Sequence, residues 1–185
     1  MTKDTTSNIK TLQFEGIVDY ARVHTPYTTN NKSGEYSLSL RLDTQEQVTK
    51  FKKLMKDNNV SEMVLNPVTE EKQPRLKDNG DGTFSVNIKR DAIGYASGKA
   101  AIITVVDSQN NPIPKSILIG NGSRAVVEMF SYEGKKGGVL RLSGLQVLDL
   151  VPFTSNTNFK PRKTGFTVQS SGLDLDDTTD QEVVF

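Results

Sequence analysis

The chain has no cysteine, no tryptophan and a single histidine among its 185 residues. Without cysteine there are no disulfides, thiolate metal sites or cysteine nucleophiles, a composition that fits a reducing compartment. The lone histidine, His24, stands beside the turn-like Thr25-Pro26 and cannot by itself build the usual histidine-based catalytic metal site. Long apolar runs are missing too. The hydrophobic fraction is 35%, and no stretch approaches the roughly 20 residues that a membrane span needs. Nor does Met1 to Ser7 have an apolar segment behind it that could act as a secretion signal. These absences lead to the expectation of a soluble, intracellular protein with no membrane partner.

Catalytic signatures are equally sparse. No Gly-x-Ser-x-Gly elbow occurs. The stretch Gly94 to Ala100 approximates a phosphate-binding P-loop, but it is one residue short and places Ala100 where Ser or Thr must meet magnesium. Asp78 to Gly82 lacks the alternating ligands and closing Glu of a calcium loop, and is expected to be a hairpin turn. The remaining carboxylates form no cluster that the sequence can defend as a metal-dependent nuclease site. The expectation is a protein that is not an enzyme and needs neither cofactor nor metal.

The charges that are present are unevenly placed. Lys and Arg number 23 and Asp and Glu 22, a formal net charge of +1. Residues 170 to 185 contain five of those acids, Asp174, Asp176, Asp177, Asp180 and Glu182, and no base, so residues 1 to 169 hold 23 bases against 17 acids, a net +6. A net-positive body favours a polyanionic partner, and a terminal block of like charge reads as a disordered interaction tail or, more plainly, a solubilising terminus. The tail closes on the apolar tip Val183-Val184-Phe185.

Hydrophobic spacing gives a mainly β fold with one helix. Leu12 to Val23 is rich in β-branched and aromatic residues, with Gly16 as the expected site of a bend or bulge. Thr25 to Gly34 reads as a loop. Tyr36, Leu38, Leu40 and Leu42 alternate with Ser37, Ser39 and Arg41, the period of a half-buried strand. Thr44 with Gln47 fits a capping box, followed by Val48, Phe51, Leu54 and Met55 at helical spacing and by Asn58-Asn59 as the stop. Phe84, Val86 and Ile88 alternate after the Asp78 turn, and further strands are expected at 101–106, 116–119, 125–132, 139–142 and 145–151. Many short strands favour a closed or partly open barrel, because closure removes exposed edges. The expected organisation is a flexible N-terminus (1–10), a barrel domain (11–153), a basic linker carrying Lys160, Arg162 and Lys163 (154–169), and the acidic tail (170–185).

Binding single-stranded nucleic acid without base readout takes a basic groove for phosphates and aromatic faces for bases. Tyr20 and Arg22 lie two apart on the first strand, with Tyr27 following. Lys89 and Arg90 end the Phe84 strand, with Tyr95 and Lys99 close behind. Phe130 and Tyr132 share one strand face, with Arg124 in phase and Lys135-Lys136 in the next turn. With Lys160, Arg162 and Lys163 these are the candidate DNA contacts. Any of the aromatics could equally belong to the core.

The stretches Phe14 to Pro26, Gly34 to Leu42, the Gly-Asn-Gly-Ser turn ending at Ser123 and the Gln-Val-x-Asp-Leu-Val strand ending at Val151 resemble the single-stranded DNA-binding proteins of tailed bacteriophages. The resemblance runs in order over residues 12 to 153, and the acidic tail ending in Phe185 matches as well. It implies a five-stranded OB-fold barrel with extra strands and one amphipathic helix, frequently a homodimer. Such a protein coats single strands in phage DNA replication, recombination and repair, in the cytoplasm of the infected bacterial host. It also implies that Asp174, Asp176, Asp177, Asp180, Glu182 and Phe185 recruit phage or host replication proteins and can compete with DNA for the groove. Gly122 and Gly144 are expected to meet backbone requirements rather than touch DNA. The alternative is a β-barrel protein-interaction or virion component that binds no DNA, with a nuclease third.

Overall fold

The first strand sets the architecture by being too long for one neighbour. In the computed structural model, which describes residues 9–28, 33–66, 69–94, 98–134 and 137–153, β1 runs over Lys10–Tyr27. Its N-terminal part pairs antiparallel with β8 (Ser123–Gly134), Lys10 opposite Ser131 through Val18 opposite Ser123. Its C-terminal part pairs with β2 (Glu35–Leu42), Ile17 opposite Arg41 through Tyr27 opposite Glu35. Ile17 and Val18 are paired on both sides, with β8 and with β2. Outward from β2 come β6 (Phe84–Asp91) and β5 (Leu76–Asp78), and outward from β8 come β9 (Gly137–Asp149) and β7 (Thr104–Val106), the last pairing parallel. The order is β5-β6-β2-β1-β8-β9-β7 in one seven-stranded sheet, with β3 (Met63–Leu65) and β4 (Lys72–Pro74) as a separate pair. The mainly β expectation holds. All of these elements belong to one compact unit.

Alternation explains which side of each strand is inside. Leu38, Leu40 and Leu42, Val86 and Ile88, Ala125, Val127 and Met129, and Leu140, Leu142, Leu145 and Val147 are all buried. The helix α1 (Gln45–Asp57) adds Val48, Phe51 and Met55 to that core, and the Phe51 ring meets Phe14 edge-on at 5.1 Å. Each large side chain fully buried in this way contributes roughly 1.5–3 kcal/mol. The capping box is formed: Thr44 accepts from the Gln47 N–H, and the Gln47 side chain accepts from the Thr44 N–H. Asp78 to Gly82 is a hairpin turn between β5 and β6, closed by the Gly80 N–H to Asp78 and the Thr83 N–H to Asp81.

Four local expectations need correction. The break in β1 is not at Gly16, where pairing to β8 is regular, but between Asp19 and Arg22 and again before Tyr27. The loop expected from Thr25 starts later, because β1 continues through Pro26 to pair Tyr27 with Glu35; proline is tolerated near a strand end, where a missing ladder N–H costs little. The strands expected at 139–142 and 145–151 are one strand, β9, which ends at Asp149; a register irregularity opposite Glu128 and Met129 absorbs the single extra residue Ser143, and Gly144 stays paired with Glu128. The stretch 116–119 is no strand. It forms a turn after Pro114 and contributes only the Ile119 bridge to Pro152.

Candidate nucleic-acid interface

Residues directly opposite one another in an antiparallel pair share a face. That rule links sites that are far apart in the chain. Arg22 lies opposite Ser37, which lies opposite Lys89, and Tyr27 lies opposite Glu35, which lies opposite Asp91. In the β8–β9 pair Phe130 lies opposite Arg141 and Tyr132 opposite Val139. The two groups meet at the C-terminal end of β6. There Asp91 reaches Arg141 at 3.6 Å, and the Arg90 guanidinium lies 5.1 Å from the centroid of the Phe130 ring. The Phe130 and Tyr132 rings are stacked, 6.0 Å apart with 22° between their planes. Lys89 and Arg90, neighbours in β6, point to opposite faces; the Asp91–Arg141 and Arg90–Phe130 contacts join the Arg22, Tyr27 and Lys89 side to Phe130 and Tyr132, so that these residues form one track around the end of β6.

The cations of this track are held loosely. Lys89 is paired with Glu35 at 2.9 Å, and Arg22 sits over the Tyr27 ring at 4.0 Å. Exposed pairs of this kind contribute about 0–1 kcal/mol, so a phosphate can replace the carboxylate at little cost. Arg90 donates one N–H to the Ile102 carbonyl at 3.2 Å. Guanidinium groups over ring faces and rings in stacked pairs are the materials of a surface that takes bases on its aromatics and phosphates on its bases.

Two arginines of this region escaped the sequence reading. Arg141 alternates with the buried Leu140 and Leu142, so its outward direction was legible; its place opposite Phe130 was not. Arg75 is half-buried, donating its Nε–H to the Ser61 carbonyl at 2.9 Å, and it has no carboxylate in ion-pair contact among the described residues. Burial, and then the neighbouring charge of Arg141, lower its pKa. Nothing in the local sequence signals that pairing.

Other candidates are placed differently. Arg124 does share the face of Phe130, but it is six residues back along β8, roughly 20 Å away at strand spacing. It is clasped by Asp149 at 2.7 Å and Glu15 at 2.6 Å, which together hold its charge more firmly than usual. A pocket of about 360 Å³ near that end is lined by Gln13, Asn110, Glu128 and Gln146 among others, and by no cation. Lys99 is exposed; just before it the Gly98 N–H donates to the Gly94 carbonyl, and among the described residues no helix follows as a P-loop would require. Tyr95, Lys135, Lys136, Lys160, Arg162, Lys163 and the tail residues Asp174, Asp176, Asp177, Asp180, Glu182 and Phe185 lie outside the described residues. Among the described residues no three His, Asp or Glu gather in a way that could hold a metal ion.

Tyr20 occupies the break in β1. Its backbone φ is +53°, its ring is 73% exposed, and its N–H donates to Asn121 Oδ1 at 2.7 Å. The Gly-Asn-Gly-Ser turn is structural throughout. Gly122, at φ +88°, donates its N–H to Asp19, and the buried Ser123 hydroxyl donates to the Gly120 carbonyl. His24 is half-buried with an unpartnered Nε2; burial chiefly lowers its pKa, only partly offset by a hydrogen bond to the Ile117 backbone.

No protein-family model matches the chain, and no curated protein sequence does. Solved structures do. The gp2.5 single-stranded DNA-binding protein of bacteriophage T7 aligns over 86% of this chain and 99% of its own, with a TM-score of 0.58 at 20% identity. The single-stranded DNA-binding protein of bacteriophage Enc34, solved in complex with single-stranded DNA, aligns over 78% of this chain and 89% of its own, with a TM-score of 0.51 at 14% identity. The chain shares its fold with these phage proteins.

Proposed function

We propose that this protein binds single-stranded DNA without reading its bases, as a coat for strands exposed in phage DNA replication and recombination. The observation that carries the reading is the pair of contacts, Asp91 with Arg141 and Arg90 with the Phe130 ring, that joins the side of the sheet bearing Arg22, Tyr27 and Lys89 to Phe130 and Tyr132. Bases stack on Tyr27, Phe130 and Tyr132 of the track and on Tyr20 beside the 120–123 turn, each worth roughly 1–3 kcal/mol, while phosphates exchange for Glu35 and Asp91 at Lys89 and Arg141. The fold shared with two phage single-stranded DNA-binding proteins supports it. No reacting group is required, and the protein acts by binding alone.

The test is photocrosslinking to an oligonucleotide carrying 5-iodouracil, followed by peptide mapping. Crosslinks at Tyr20, Tyr27, Phe130 or Tyr132 are expected; crosslinks confined to the surface around Glu15, Glu128 and Asp149 refute the assignment of the track.

The same reading gives the tail its role. Asp174 to Phe185 recruits replication proteins and competes with DNA for the basic track, and the protein works as a homodimer. Deleting 174–185 then raises affinity for oligo-dT at low salt and abolishes capture of a replication polymerase. A truncation that leaves both unchanged reduces the tail to a solubilising terminus.

A further inference from the structure

Tyr20 is held in place by a loop 101 residues away. Its left-handed backbone conformation is one that an aromatic L-residue adopts only when its surroundings impose it. The imposing contact is the 2.7 Å hydrogen bond from its N–H to Asn121 Oδ1. The loop that supplies Asn121 is itself fixed on both sides. Gly122 donates to Asp19 Oδ1 at 2.9 Å and to the Val18 carbonyl at 3.1 Å, and Gly120 donates to the Val151 carbonyl at 2.9 Å. Asp19 is anchored in turn by Arg41 at 2.9 Å, which also binds Asp43 at 2.8 Å. All of this order serves a ring that is 73% exposed and makes no aromatic or cation contact among the described residues. The fold gains little burial from Tyr20 and bears the backbone strain, so the benefit lies with something that lands on it. Strain of this kind gathers where a side chain must be presented to a partner.

We propose that Asn121 is a positioning residue for nucleic-acid binding, fixing Tyr20 in its outward conformation so that a base stacks on a platform ordered in advance. The proposal rests on the single-stranded DNA reading above. Ordering the ring before contact removes part of the entropy cost of binding. Asn121 itself need not touch DNA.

The experiment is a double-mutant cycle on the full chain, with oligo-dT affinity and Tm measured for each variant. Tyr20→Gly is expected to raise Tm, because glycine accepts a positive φ without strain, and to weaken oligo-dT binding about five-fold or more, the loss of one stacked base. Asn121→Ala is expected to weaken binding to a similar degree. In the Asn121→Ala background Tyr20→Gly then costs nothing further, whereas in the Asn121→Asp background, which keeps the acceptor oxygen, it still costs about five-fold. Asn121→Ala that lowers only Tm, or losses that multiply independently, overturn the proposal while leaving the single-stranded DNA reading intact. A wild-type protein that does not bind oligo-dT removes that reading and this proposal with it. Should Asn121→Ala fail to fold, Tyr20→Gly decides: a higher Tm with lower affinity supports a platform held under strain, and a higher Tm with unchanged affinity overturns it.

Discussion

Replacing Arg141 and Arg124 separately by glutamine distinguishes a cation that meets phosphate from one that does not. Both are arginines on the same outer face of the β8–β9 pair. Arg124 is held by two carboxylates at 2.6 and 2.7 Å, whereas among the described residues Arg141 has a single ion-pair partner, Asp91, at 3.6 Å. Binding that neutralises Z phosphates on a single strand makes log K fall with log salt at a slope of about −0.7Z. With four contacts, from Arg22, Lys89, Arg90 and Arg141, the slope is about −3, and affinity drops about 50-fold between 50 and 200 mM salt. Arg141→Gln removes one contact, bringing the slope to about −2 and the drop to about 20-fold. Arg124→Gln leaves the slope where it was, since its charge is already neutralised within the fold. The assay is anisotropy of a labelled oligo-dT across that salt range. If Arg124→Gln flattens the slope as much as Arg141→Gln does, the division of this face into a binding end and a neutralised end is wrong.

Other consequences follow from particular contacts. In Gly138→Ala the new methyl would lie 2.7 Å from the Asn59 carbonyl carbon and collide with its oxygen, where the chain after α1 bridges onto β9; a destabilisation of roughly 1–3 kcal/mol is expected in denaturant melts. Thr44→Ala removes one arm of the capping box and should cost about 1 kcal/mol of stability with no change in DNA affinity. His24 has its pKa lowered by burial, so the unfolded chain takes up a proton first as pH falls. Stability is therefore complete above about pH 6.5, the unfolded value, and declines below it. His24→Gln should flatten that part of the pH profile; an unchanged decline between pH 7 and 5 assigns it to other groups.

The parts of this fold that were legible in the sequence are those fixed by local pattern. Leu38, Leu40 and Leu42 alternate because one face of β2 is buried, and Thr44 with Gln47 marks a helix start whose partners are three residues apart. Phe130 and Tyr132 could be placed on one face by parity alone. What stayed hidden depends on long-range pairing. That Arg22 and Lys89 flank Ser37, or that Arg141 faces Phe130, follows from register, which no stretch of ten residues encodes. The break at Tyr20 was misplaced to Gly16 because glycine is the residue that usually permits a bend. Here the break falls on a tyrosine in the left-handed region, whose N–H is bound by Asn121. Arg124 looked like a phosphate contact because its two carboxylate partners come from other strands.

The near-neutral sum of charges conceals a track suited to phosphates, and the most direct test is the choice between strands. Oligo-dT and a duplex of equal length are titrated against the full-length protein at several salt concentrations. The account predicts much tighter binding of the single strand, because only unpaired bases can stack on Tyr20, Tyr27, Phe130 and Tyr132, with affinity falling steeply as salt rises. Equal affinity for the two, or affinity indifferent to salt, would contradict it.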